Sequence, residues 1–144
     1  MWSLTSTADI SVDSATLTAN ASEAVVVEGK NSVTLNNVTL SGNMQASTDA
    51  NENVHNIMLY QSMSGDAEVG HSSFTATGGS ILANAGDMFY VTNTTSTISL
   101  TNVALTLANE NLLTVSGNSS SRGWGTAGAN GGICTFLAAQ QTLN

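Results

Sequence analysis

Asp9 and Asp13 flank Ser11 in the stretch DISVD, and two carboxylates on one face of a strand are a starting point for glycoside hydrolysis. That chemistry needs the acids to face each other across a bond, and the matching positions one repeat later are the neutral Ser32 and Asn36. Elimination chemistry instead needs a base that removes a proton acidified by a bound cation. The strong bases are Lys30 and Arg122, both in turn-like or glycine-rich sequence. His55 and His71 bracket the apolar run NIMLYQ and can meet in space if that run is a strand; the alternative is a solvated loop histidine at each position. These groups do not assemble into a reaction centre, and the expectation is a protein that is not an enzyme.

A metal is the next possibility. Asp66 and Glu68 lie in SGDAEVG, a loop bounded by serine and glycine, and Asp87 follows in NAGD. Calcium takes about six to eight oxygen ligands, which loop carboxylates and carbonyls can supply. Acidic residues also simply solvate loop tips, and the sequence has neither an EF-hand loop nor a nonapeptide calcium repeat. Calcium with Asp66, Glu68 and Asp87 is therefore the one cofactor the residues suggest.

Hydroxyl groups are more regular. Ser73, Thr75 and Thr77 alternate with apolar residues, as do Thr97, Ser99 and Thr101. Stacked strands stand about 4.8 Å apart, so such rows make a flat hydroxyl-rich face. This face suits a carbohydrate lattice or ordered water, and it is equally ordinary soluble β surface. The loop SRGWGTAGANGG adds Arg122 and Trp124 among glycines. A loop tryptophan can stack on a sugar ring or fold back to cover an apolar strip. With Tyr60, the candidate ligand-binding residues are Trp124, Arg122, Tyr60, Thr75, Thr77, Ser99 and Thr101. Four Asn-x-Ser/Thr sequons at Asn20, Asn37, Asn93 and Asn118 are what a chain rich in these residues produces by chance.

What must position these groups is a repeat. In SVTLNNVTL the apolar residues Val33, Leu35, Val38 and Leu40 sit at offsets 0, 2, 5 and 7. The same template fits Ile10, Val12, Ala15 and Leu17, and again Ile98, Leu100, Val103 and Leu105. It fits Phe74, Ala76, Gly79 and Ile81 with a glycine in one inward slot, and a degraded fifth copy begins at Cys134 with Phe136. Offsets 0 and 2 alternate as in a strand, and the extra residue before offset 5 demands a corner. The corner pairs are Asp13-Ser14, Asn36-Asn37, Thr77-Gly78 and Thr101-Asn102, types that accept bent backbone. A third apolar run follows each unit: AVVVEG, NIMLYQ, MFYVTN and LLTVSG. Repeats spaced in the low twenties match one coil of a solenoid. The expected fold is all-β, a right-handed parallel β-helix of about four to five coils forming a single domain over 1–144, with insertions at 42–55, 61–72 and 116–132. An antiparallel sandwich is the competing all-β architecture.

Composition narrows the partners. Charged residues make up 8% of the chain, against about 25% in an average domain, and the formal charge is −8. Nucleic acid is excluded as a partner, because phosphate contacts require clustered Lys and Arg. No apolar run approaches the roughly 20 residues of a membrane-spanning helix, so no membrane insertion is expected. The single Cys134 occupies an inward offset of the degraded copy and reads as a small buried residue. MWSLTSTADI lacks the basic start and apolar centre of a signal peptide, so the protein either stays inside or is a mature or excerpted region.

The run NIMLYQSMSGDAEVGHSSFTATGGSILANAGDMFYVTNTTSTISLTNVAL, with SRGWGTAGANGG and the closing CTF and QTL, resembles bacterial adhesin-like and carbohydrate-binding domain proteins, mainly of gut-dwelling and anaerobic Firmicutes. The resemblance covers nearly the whole chain from about residue 9, most distinctively in LYQSMSGDAEVG and RGWGTAG. It implies a right-handed parallel β-helix with further coils after QTL, and therefore an excerpt of a longer solenoid. It also implies a secreted or cell-surface module with a polysaccharide or cell-surface glycan as partner. The family has no agreed catalytic motif to carry over. A structural stalk and an ice- or surface-binding solenoid are the alternatives. A coil that exposes unpaired strand edges also leads us to expect end-to-end homo-association.

Overall fold

The computed structural model describes residues 8–43, 55–60, 71–92, 94–108, 111–116, 133–139 and 142–143. Its strands follow the repeat. The first circuit of the chain comprises β1 (Asp9–Asp13), β2 (Thr16–Ala19) and β3 (Val25–Glu28). The second comprises β4 (Ser32–Asn36), β5 (Thr39–Gly42) and β6 (His55–Tyr60). The third has β7 (His71–Thr77), β8 (Ser80–Ala83) and β9 (Asp87–Thr92); the fourth has β10 (Thr95–Thr101), β11 (Ala104–Leu107) and β12 (Leu113–Ser116). A fifth contributes β13 (Ile133–Ala139) and β14 (Thr142–Leu143).

Each circuit gives one strand to each of three sheets. Sheet A is ordered β1-β4-β7-β10-β13, sheet B β2-β5-β8-β11-β14 and sheet C β3-β6-β9-β12. All of these ladders are parallel, which rules out the antiparallel sandwich. The described residues are all-β, without a helix.

Register carries the template into space. Ile10, Val33, Phe74, Ile98 and Phe136 form one column across sheet A, and Val12, Leu35, Ala76, Leu100 and Ala138 form the next inward one. Leu17, Leu40, Ile81 and Leu105 align across sheet B. In the second to fourth circuits the inward apolar side chains are buried in one core, together with Val27, Ile57, Leu59, Phe89 and Val91 from sheet C. The third circuit explains the loose copy of the template. Phe74 and Phe89 both enter the core there, edge to face with centroids 5.5 Å apart, with the small Ala76 in the neighbouring inward column. Gly79 is instead exposed, with φ 73°, and a Cβ there would stand 2.2 Å from the Val38 carbonyl oxygen.

The corner between sheets A and B lies where the sequence places it. Ser14, Asn37 and Asn102 each have φ 53° and Gly78 has φ 66°, so offset 4 is left-handed in all four copies. Their N–H groups are not wasted: each donates to a carbonyl of the following circuit at 2.9 Å, from Ser14 to Asn36, Asn37 to Thr77, Gly78 to Thr101 and Asn102 to Ala139.

Two positions differ from the sequence reading. Cys134 pairs with Ser96 and Phe136 with Ile98, so the fifth copy begins at Phe136, and Cys134 joins a half-polar inward column with Ser72 and Ser96. The apolar template has too few anchors in ICTFLAA to fix its phase, and a slip of two preserves alternation. Ile10 is in register yet 55% exposed, in the edge strand of sheet A among the described residues.

Candidate functional site

Two outer faces carry the polar chemistry. On sheet A three outward columns run across the circuits. The central one contains Ser11, Thr34, Thr75, Ser99 and Leu137. On one side stand Asp9, Ser32, Ser73, Thr97 and Thr135; on the other, Asp13, Asn36, Thr77, Thr101 and Ala139. Leu137 stands in the Ser99 column and Thr135 in the Thr97 column, following the shifted phase of the fifth copy. Side chains repeat about every 4.8 Å across the strands and about 6.6 Å along them.

This face is preorganised by local hydrogen bonds. Ser32 Oγ donates to Asp9 Oδ1, and Asn36 Nδ2 donates to Asp13 Oδ1 at 2.8 Å. His71 Nε2 and Thr97 Oγ1 are 3.2 Å apart across neighbouring circuits. Thr75 and Ser99 are half-buried, and Thr77 and Thr101 are exposed. The structure thus brings Thr75, Thr77, Ser99 and Thr101 into one neutral array. Asp9 and Asp13 stand at its first-circuit border, each bonded to a neutral neighbour, with no second carboxylate in register.

The outer face of sheet C is different. At the start of each third strand, or within two residues of it, Glu23, His55, Asp87 and Asn111 form a column. His55 Nε2 lies 2.9 Å from Glu23 Oε1, and the His55 ring stacks on Tyr90 with centroids 4.9 Å apart. His55 is in register with Asp87, whose Oδ1 accepts from the Asn111 backbone N–H at 3.3 Å and from its Nδ2 at 3.4 Å. His55 and Asp87 are buried, as are Met58, Tyr90 and Thr92 on the same face. Burying an ionisable group costs free energy unless it is paired, and this column supplies the pairs.

These placements correct the loop reading of three residues. His55 is the first residue of β6 and His71 the first of β7; they belong to different sheets and neither lies in a loop. Asp87 is the first residue of β9 and 4% exposed, held by Asn111 instead of lying on a solvated loop tip. Tyr60 closes β6 on sheet C, in register with Thr92, away from the hydroxyl face of sheet A. Trp124, Arg122, Asp66 and Glu68 fall outside the described residues. Among the described residues no group of three or more His, Cys, Asp or Glu is arranged to hold a metal ion, and no helix is long and apolar enough to cross a membrane.

The sheet C column was missed by sequence reading, although a signal for it exists. Aligning AVVVEG, NIMLYQ, MFYVTN and LLTVSG leaves Glu23, His55, Asp87 and Asn111 as the preceding residue of each, a polar column at constant offset. Attention to apolar positions hides it. The segments 44–54 and 61–70 adjoin β6 in sequence, and 117–132 follows β12, so all three long interruptions of the repeat are next to sheet C strands. Comparison of the chain with protein-family models, curated proteins and solved structures returns no match.

Proposed function

We propose that the protein is a non-catalytic right-handed parallel β-helix module, secreted or displayed at a cell surface, that binds an extended glycan along the outer face of sheet A. The observation that carries this reading is the registered array of hydroxyl and amide side chains over the second to fourth circuits: Ser32, Thr34 and Asn36, then Ser73, Thr75 and Thr77, then Thr97, Ser99 and Thr101. Every member can donate and accept, as sugar hydroxyls can, and none carries a formal charge. A neutral or weakly charged polymer lying across the circuits meets the same chemistry at each step. Arg122 and Trp124 are proposed to extend the site through ring stacking, and Asp66 and Glu68 to offer oxygens to calcium, with Asp87 and Tyr60 contributing only from sheet C. The adhesin-like resemblance of the sequence agrees with this assignment.

A glycan array followed by titration calorimetry, with and without calcium, tests it. Replacing Thr75 and Ser99 together by Val and Ala removes two hydroxyls while retaining β-compatible side chains. At about 0.5–1.5 kcal/mol per hydrogen bond, affinity should fall by roughly five- to 150-fold. Unchanged affinity in this variant would move the site off sheet A. Thermal hysteresis without glycan binding would instead assign the face to ice, and unchanged binding after Trp124→Ala would remove that residue from the site.

A further inference from the structure

We infer that the glycan taken by sheet A carries carboxylates, and that His71 reads them as a pH-dependent cation at the border of the hydroxyl face. The inference rests on the glycan reading above and deepens it, naming the charge of the ligand and where that charge sits. His71 opens β7 and is exposed, in one outward row with Ser73, Thr75 and Thr77 and about 6.6 Å along the strand from Ser73. Thr95 stands in register beside it. A polymer crossing the circuits over Ser32, Ser73 and Thr97 therefore passes one side-chain step from the imidazole.

The ring is held on one side and open on the other. His71 Nε2 and Thr97 Oγ1 are 3.2 Å apart, so the next circuit fixes the imidazole, while Nδ1 has no partner among the described residues. An imidazolium donates from both nitrogens. Nε2–H then gives to Thr97 Oγ1 and Nδ1–H to a sugar carboxylate, a charge-assisted bond, and the Thr97 hydroxyl hydrogen is left for a sugar oxygen. A neutral imidazole has one N–H for both tasks and no charge to offer. Histidine is the side chain whose charge ordinarily changes between about pH 5 and 8, so preference for an acidic ligand grows on acidification.

The surroundings favour an anion at this border. The outward residues of β4, β7 and β10 include no acid. Lys30 is exposed and follows Gly29, whose carbonyl accepts from Ser72 Oγ at 2.8 Å, so its backbone adjoins the start of β7. Strands β3 and β6 also approach β7, and they end in the partly buried Glu28 and Tyr60 of sheet C. The acids of sheet A are Asp9 and Asp13 in β1, with Asp9 two strand spacings from Ser73 in the same column, about 9.6 Å. That exceeds the screening length of about 8 Å at physiological salt. Asp9 and Asp13 thus oppose a carboxylate over the first circuit and tolerate one at the third, which fixes where the acidic sugar lies.

The test uses gluco-, manno- and galacto-oligosaccharides, each paired with its uronic-acid counterpart of the same linkage and length. Calorimetry gives the ratio of acidic to neutral affinity at about pH 5.5 and about pH 8, where sugar carboxylates stay ionised. For the parent the ratio should be roughly fivefold higher at the lower pH, as for an exposed ion pair. In His71→Gln the ratio should be the same at both, and in His71→Lys it should be high at both. A parent ratio that ignores pH, or a pH effect that survives in His71→Gln, would overturn the inference while leaving the glycan reading in place. Failure of the parent to bind any member of the pairs would remove the glycan reading, and the inference with it.

Discussion

Asn56 fills the space that Gly42 leaves empty. A Cβ on Gly42 would stand 2.1 Å from Asn56 Oδ1 and 2.9 Å from Asn56 Cβ, so this glycine is required by close approach and not by backbone conformation. The Asn56 amide is fully buried, and its Nδ2 donates to the carbonyls of Ala85 and Asp87 at 2.9 Å each. One side chain thereby ties the end of sheet B in the second circuit to the turn that starts β9 in the third.

Gly42→Ala should therefore act as an overpacking substitution that also strains two buried hydrogen bonds. A loss of about 1–3 kcal/mol is expected from overpacking. Asn56→Ala in the same background should recover part of it, since the obstructing amide is gone. Denaturant unfolding of the four members of this cycle measures the coupling; additive effects would mean that the two residues do not share the space.

The inward assignment makes a sharper contrast between neighbours. Leu100 is 1% exposed and stacked on Ala76, whereas Ser99 beside it points outward. Leu100→Ala should cost about 2–5 kcal/mol through lost burial and a residual cavity. Ser99→Ala should lie within about 0.5 kcal/mol of the parent. Equal losses at both positions would contradict the inward column.

An asparagine ladder on the surface suggests a stabilising change. Asn43 Nδ2 donates to Asn20 Oδ1 at 3.1 Å, and Asn84 Nδ2 donates to Asn43 Oδ1. The backbone N–H groups of Asn43, Asn84 and Ala108 bond in the same way to the preceding circuit, to Ala19, Gly42 and Ala83. Ala108 thus occupies the fourth rung without an amide. Ala108→Asn should extend the ladder and add about 0.5–1.5 kcal/mol, visible as a raised midpoint in thermal or denaturant unfolding; a lowered midpoint would mean that this rung is out of line.

Much of this architecture is legible because each circuit through the three parallel sheets repeats the same instructions. The 0-2-5-7 template located the strands of sheets A and B, and the αL corner was readable from Ser14, Asn37, Gly78 and Asn102. Two kinds of information were not in the template. Phase at Cys134 and Phe136 depends on which neighbour each residue stacks against, and alternation alone leaves that free. The Glu23, His55, Asp87 and Asn111 column emerges only when the four third-strand runs are aligned with one another, because each of its residues taken singly looks like ordinary loop polarity. The hydroxyl face was legible for the opposite reason: Ser73, Thr75, Thr77, Thr97, Ser99 and Thr101 alternate with core residues inside the template itself.

The corrected position of Cys134 has a measurable consequence. Burial pushes its thiol above the ordinary value, and hydrogen bonds with the Ser96 side chain and the Ile98 backbone offset this only in part. A raised folded value means that the neutral thiol is the form the fold prefers. Its contribution to stability is complete below the unfolded thiol value of about 8.5 and declines as pH rises through the folded value. The thiolate is the reactive species, so alkylation by iodoacetamide at pH 8.5 should be slower in the folded protein than in the denatured chain. Cys134→Ser should flatten the alkaline decline in stability between about pH 8 and 10, because the hydroxyl does not titrate there. Alkylation at the denatured rate, or an alkaline profile unchanged by the serine, would place the thiol in solvent and not beside Ser96.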